Sequence, residues 1–203
     1  SNACTYDGAP ATHTFFNTTT YISQGGTDPV ALKKAWNDAW SQGHEIGNHT
    51  HGHQHGSAFS AAQWDTEIGT CMDWLTKPFD PNDNTSNDTT GAGIPSDEIW
   101  GFRTPFLRYN NALYPVLQSR NFWYDCSIED GWHWDQDGTN FTWPYTLDQG
   151  STGHELLVDW GTKTESLSPA PGLWQMPVHP VIVPPDEACA QYGCEPGLRD
   201  KLK

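Results

Sequence analysis

His49-Thr50-His51-Gly52-His53 carries two imidazoles four residues apart, directly after the stretch His44-Glu45-Ile46-Gly47-Asn48. Positions i and i+4 share one side of a helical turn, so the spacing predicts that His49 and His53 reach a single divalent cation such as Zn²⁺. A cation held in an open site makes bound water more acidic and polarises a carbonyl oxygen, which points to hydrolysis. His51 and His55 have the same spacing and are read as flanking residues. His13, His133 and His154 are isolated and are read as structural or surface histidines.

The surrounding pattern supplies elements to position that pair. Ala11 to Asn17 is β-branched and aromatic, as a buried strand is, and a helix should follow from a cap at Thr27 or Asp28 with Pro29 in its first turn. Val30, Ala31, Trp36, Ala39 and Trp40 supply its apolar stripe and Gly43 ends it; a short strand then delivers His49. A second helix opens with the capping box Ser60-Ala61-Ala62-Gln63 and buries Trp64, Ile68, Cys71, Met72 and Leu75. Residues 80 to 93 read as a surface loop, 98 to 102 as a strand ending at Arg103, 110 to 120 as a short helix and 122 to 128 as a strand. Residues 129 to 170 read as a long loop region, and Gly172 to Val178 as a strand terminating at His179. This alternation argues for parallel strands with helices outside, whose chemistry gathers at the C-terminal strand ends. His49, Arg103, the acids Glu129 and Asp130, and His179 each follow an apolar strand.

A chain of 203 residues suits one domain, read here as residues 4–203 after a Ser1-Asn2-Ala3 expression-tag scar. Ten Lys and Arg against 25 Asp and Glu give a net charge of −15, which disfavours nucleic acid and anionic lipid as partners. No apolar run is long enough to insert into a membrane, and a monomer is expected. Eleven Trp exceed what a core of this size needs, and aromatic faces suit the apolar faces of sugar rings. The composition suggests a secreted or cell-envelope protein, in which Cys189 with Cys194, and Cys4 with Cys71, are candidate disulfides.

Three motifs in this order resemble the polysaccharide deacetylase family of carbohydrate esterases: His49-Thr50-His51-Gly52-His53, Arg103-Thr104-Pro105-Phe106, and Pro177-Val178-His179. The resemblance implies an α/β fold, a distorted, incomplete (β/α) barrel. It also implies Zn²⁺, or another divalent ion such as Co²⁺, held by His49 and His53 together with an acid. Its substrate would be an acetylated polysaccharide, losing N- or O-acetyl groups to metal-activated water. By the same resemblance His179 is the general acid that protonates the leaving group, Arg103 orients a carboxylate base or the substrate, and Pro105 and Phe106 shape the groove. A looser match, Glu129-Asp130-Gly131-Trp132, makes Asp130 a candidate to tune the catalytic histidine or base and Trp132 a pocket wall, with Asp159-Trp160 competing for that role.

The family's Thr-Phe-Asp-Asp-type motif, which supplies the base and third ligand, has only Thr5-Tyr6-Asp7-Gly8 as a local echo. The expectation is therefore that the acidic strand lies upstream and that the chain is an N-terminally truncated fragment, weak or inactive by itself. Other classes remain open: a non-catalytic carbohydrate-binding module would explain the Trp excess, and a different metallohydrolase or metal-storing protein would explain the histidines.

Overall fold

The computed structural model describes residues 8–24, 26–83, 89–130, 142–159 and 161–178. Strand β1 (Thr14–Asn17) leads to helix α1 (Pro29–Ser41), where the Asp28 carboxylate accepts from the Ala31 N–H and Pro29 occupies the first turn. Gly43, at φ 86°, lets the chain leave the helix and enter β2 (Glu45–Asn48). The capping box forms as its residues predict, with Ser60 and Gln63 bonding reciprocally at the start of α2 (Ala61–Thr76). Then follow β3 (Gly101–Phe102), α3 (Leu113–Ser119), β4 (Tyr124–Asp125), β5 (Tyr145–Leu147), α4 (Thr152–Asp159) and β6 (Ala170–Gln175).

The strands form one six-stranded sheet in the order β1-β2-β3-β4-β6-β5. Every pair from β1 to β6 is parallel, and only β5 runs antiparallel, against β6. Among the described residues the sheet is open, with β1 and β5 at its edges. One face carries the main core: Trp64, Ile68 and Leu75 of α2 and Leu113 and Leu117 of α3 are buried in one cluster with Ile46 and Phe102 of the sheet. On the other face, aromatic side chains lie over glycine. A Cβ at Gly47 would meet the Phe16 ring at 2.6 Å, and one at Gly101 would overlap the Tyr124 ring, so both strands need glycine there.

Several expectations shift. The region 129 to 170, expected as loop, contains β5 and α4, which are held by contacts distant in sequence, such as His154 to Tyr109. The strands expected over 98 to 102 and 122 to 128 pair over only two residues each, although Phe122 and Ile128 are buried beside them. Helix α3 starts three residues later than expected because the Asn110 side-chain oxygen caps a local turn, accepting from the Ala112 N–H and from Trp64 Nε1. Lys33 of α1 is fully buried; its ammonium donates to Thr90 and lies 5.4 Å from the centroid of the Trp74 ring. Cys71 is a free buried thiol donating to the Asn17 carbonyl, so it does not form the expected bridge with Cys4. Cys4, Cys189 and Cys194 lie outside the described residues. No helix among the described residues is long and apolar enough to cross a membrane.

Candidate functional site

Because β2, β3, β4 and β6 are parallel, the segments after them emerge at one end of the sheet. His49 follows β2, Arg103 follows β3, Ser127 follows β4 and Val178 follows β6. A cleft of about 500 Å³ opens there, lined by Phe16, Asn17, His49, Arg103, Thr104 and Phe106 among others.

His49 and His53 do come together, with ring centroids 5.1 Å apart, but not on a helical turn. The segment between them is a loop in which Thr50 (φ 65°) and His53 (φ 50°) are left-handed. Buried Asn48 shapes the turn: its side-chain oxygen accepts from the Thr50 N–H and its amide nitrogen donates to the Ile68 carbonyl. The His49 N–H bonds to the Asn17 carbonyl and the His51 N–H to the Glu67 carbonyl, while the Glu67 carboxylate accepts from Gly52 N–H at 2.6 Å. Thr19 Oγ1 hydrogen-bonds the His51 ring at Nδ1, which fixes that ring within the scaffold. The histidine loop is thus tied to β1, to the turn after it and to α2. The residues that do this, Asn48, Glu67 and Thr19, were not singled out from the sequence; for Asn48 the only signal was its place beside His49.

His49 is set up as a neutral donor. Burial pushes its imidazole down to about 4; the Arg103 carbonyl, which accepts from Nδ1–H at 2.7 Å, acts in the opposite direction, and the charges of His53 and Arg103 add to the depression. With Nδ1 carrying the hydrogen, the lone pair lies on Nε2.

Arg103 is half-buried; its backbone N–H bonds to the Asn48 carbonyl and its charge acts on His49 and Cys126. Pro105 is buried, whereas Phe106, at φ 57°, is 53% exposed over the cleft, its ring 4.8 Å from that of His53 and stacked at 4.1 Å on that of His55. Asp130 is buried and does not line that cleft: Thr142 donates to its carboxylate, and its N–H bonds to the carbonyl of Val178, the residue before His179. Asp159 is exposed at the end of α4. His154 is buried, with both ring nitrogens hydrogen-bonded, as a structural histidine is. Trp132 and His179 lie outside the described residues.

A family model described as polysaccharide deacetylase matches residues 7–122, more than half of the chain. The chain belongs to the polysaccharide deacetylase family. The His49 and Arg103 motifs of this family member fall inside the matched segment, and Pro177-Val178-His179 falls beyond it. Among solved structures it is similar to a family 4 carbohydrate esterase from Streptomyces lividans in complex with acetate, with 23% identity over 59% of this chain and 50% of that one and a TM-score of 0.40. It is also similar to the Xyl-CE4 domain of a multidomain xylanase from the hindgut metagenome of Trinervitermes trinervoides, at 14% identity over 91% and 90% of the two chains and a TM-score of 0.35. A CE4 family pseudoenzyme from Bacillus anthracis matches at 13% identity over 55% and 32%, with a TM-score of 0.35. The chain spans about half the length of the Streptomyces lividans esterase. No curated protein matches.

The family implies a divalent metal, and the His49–His53 pair fits one in donor chemistry: two imidazoles at one loop, one of them neutral with its second nitrogen engaged by a carbonyl, as metal-bound histidines are. Among the described residues no group of three or more His, Cys, Asp or Glu side chains is placed to hold an ion. Among the described residues the pair is therefore a two-donor set.

Proposed function

We propose that this chain carries the catalytic site of a secreted, metal-dependent hydrolase that removes N- or O-acetyl groups from a polysaccharide. The observation that carries the reading is the neutral, carbonyl-locked His49 beside His53, at a cleft shared with Arg103 and Phe106. His49 and His53 would hold Zn²⁺ or Co²⁺, which when bound supplies Lewis acidity to water and to the acetyl carbonyl. The protein's own groups do the rest. Arg103 places a permanent positive charge beside the cleft, suited to orienting a carboxylate or a developing oxyanion. Phe106 offers an exposed aromatic face for a sugar ring, and Trp132 would extend that wall.

Hydrolysis consumes one water and releases acetate with a free amine or hydroxyl, so the leaving nitrogen or oxygen needs a proton. His179 is assigned to supply it. The backbone hydrogen bond between the N–H of residue 130 and the Val178 carbonyl anchors the chain just before His179, and Asp130 is assigned to tune that histidine or the base.

The test is acetate release from a panel of acetylated glucosamine polymers, peptidoglycan glycan and acetylated xylan, with the protein first stripped by chelator and then given Zn²⁺ or Co²⁺. Release that appears only with metal and disappears in His49→Ala supports the reading. Sugar binding that persists without metal and without acetate release would instead mark a carbohydrate-binding module.

A further inference from the structure

One peptide unit links His49 to a buried carboxylate. The carbonyl of Arg103 accepts from His49 Nδ1–H at 2.7 Å, and the N–H of the same peptide bond, that of Thr104, donates to Ser127 Oγ at 2.8 Å. Ser127 in turn donates its hydroxyl to Asp125 Oδ1 at 2.5 Å. Every donor in this chain of three hydrogen bonds points the same way, from the imidazole toward the carboxylate. Thr104, Ser127 and Asp125 are all fully buried. Asp125 and Ser127 stand two residues apart at the end of β4, where an extended chain turns them to the same face. Consecutive hydrogen bonds in a low-dielectric interior polarise one another, so an acceptor at the far end strengthens the donor preference at the near end.

We infer that Asp125 and Ser127 are positioning residues for His49, acting through the Arg103–Thr104 peptide unit to hold the hydrogen on Nδ1 and present Nε2 as the electron-rich donor to a divalent cation. Resting on the reading of His49 as a metal ligand, this assigns the ligand's supporting partners three hydrogen bonds away. Metal-ligating histidines commonly give their second N–H to a carbonyl or carboxylate; here the carbonyl is itself backed by a carboxylate. Asp125, fully buried at the end of the relay, offers the Ser127 hydroxyl a carboxyl oxygen as its terminal acceptor.

The experiment reads the His49 ring directly in metal-free protein, by ¹⁵N-resolved imidazole spectra assigned through loss of the signal in His49→Gln. Wild type should show one tautomer, with hydrogen on Nδ1. Asp125→Asn preserves shape and Ser127→Ala removes the relay; in either, a mixture of tautomers is expected, with Zn²⁺ affinity, read by competition with a chromophoric chelator, falling about tenfold. A wild-type ring with hydrogen on Nε2 overturns the inference, as does an unchanged tautomer with Zn²⁺ affinity within twofold in a folded variant. If one variant does not fold, the other and the wild-type tautomer still decide. Should wild type bind no Zn²⁺, the proposed function falls, while the tautomers of the metal-free variants still judge the relay.

Discussion

The rings of His49 and His53 stand with centroids 5.1 Å apart and planes tilted by 59°, each supplied by a different arm of one left-handed loop. On the proposed function both rings are ligands of one ion, so each should be needed for its affinity. His49→Ala and His53→Ala should each lower Zn²⁺ affinity by more than about 100-fold, beyond the roughly 10- to 100-fold typical of losing an outer-shell partner. Equilibrium dialysis with metal analysis measures this, and circular dichroism should show the fold intact. An affinity within tenfold of wild type in either variant would remove that residue from the ligand set.

Glu67 of α2 holds the same loop from outside, through its carboxylate on Gly52 N–H and its carbonyl on His51 N–H. A hydrogen bond to a charged acceptor contributes about 1.5–3 kcal/mol. Glu67→Ala should therefore lower unfolding free energy in urea by that amount and weaken Zn²⁺ binding, because the loop loses its fixed geometry. Glu67→Gln keeps an oxygen in place and should recover part of both. Equal losses in the two variants would show that charge, not the anchored loop, is what matters.

Local chemistry was legible wherever a short-range signal specified it. Asp28 with Pro29, and Ser60 with Gln63, announce α1 and α2 because a cap is a contact within four residues. The strand that delivers His49 was legible from its place, a short segment with Ile46 between the Gly43 helix stop and the histidine motif. The proximity of His49 and His53 was also readable, yet for the wrong geometric reason: the residues that bend this loop, Asn48 and Glu67, act through side-chain bonds to backbone that no periodicity displays. Burial of Lys33 was equally hidden, since its partners Thr90 and Trp74 are remote in sequence. The Asp125–Ser127–Thr104 relay joins two strands and becomes visible only once β3 and β4 are in register.

The cap of α2 offers a test of stability away from the cleft. Ser60 Oγ satisfies the Gln63 N–H while the Gln63 side chain returns to the Ser60 N–H. Ser60→Ala should destabilise the protein by about 1 kcal/mol, and Ser60→Gly by only a few tenths. Chemical denaturation measures both, and Zn²⁺ affinity should not change. A destabilisation below about 0.3 kcal/mol for Ser60→Ala would mean the helix start is held by packing alone.

Asp125 makes stability depend on pH in a defined direction. Burial pushes its carboxyl up from 3.8 to about 7, against the opposing hydrogen bonds from Ser127 and neighbouring groups. Between those two values the folded chain retains a proton that the unfolded chain has released, so the contribution of this group is fully present below about pH 4 and is lost as pH rises through 7. Each unit of displacement corresponds to about 1.4 kcal/mol. Asp125→Asn cannot ionise, so its stability relative to wild type should improve steadily from pH 4 to pH 7 and then level off. Melting temperatures of the two metal-free proteins at pH 4, 5.5, 7 and 8.5 measure the difference. A difference constant across that range would show that Asp125 is already ionised at pH 4, and would place its carboxylate in a more polar setting than its burial indicates.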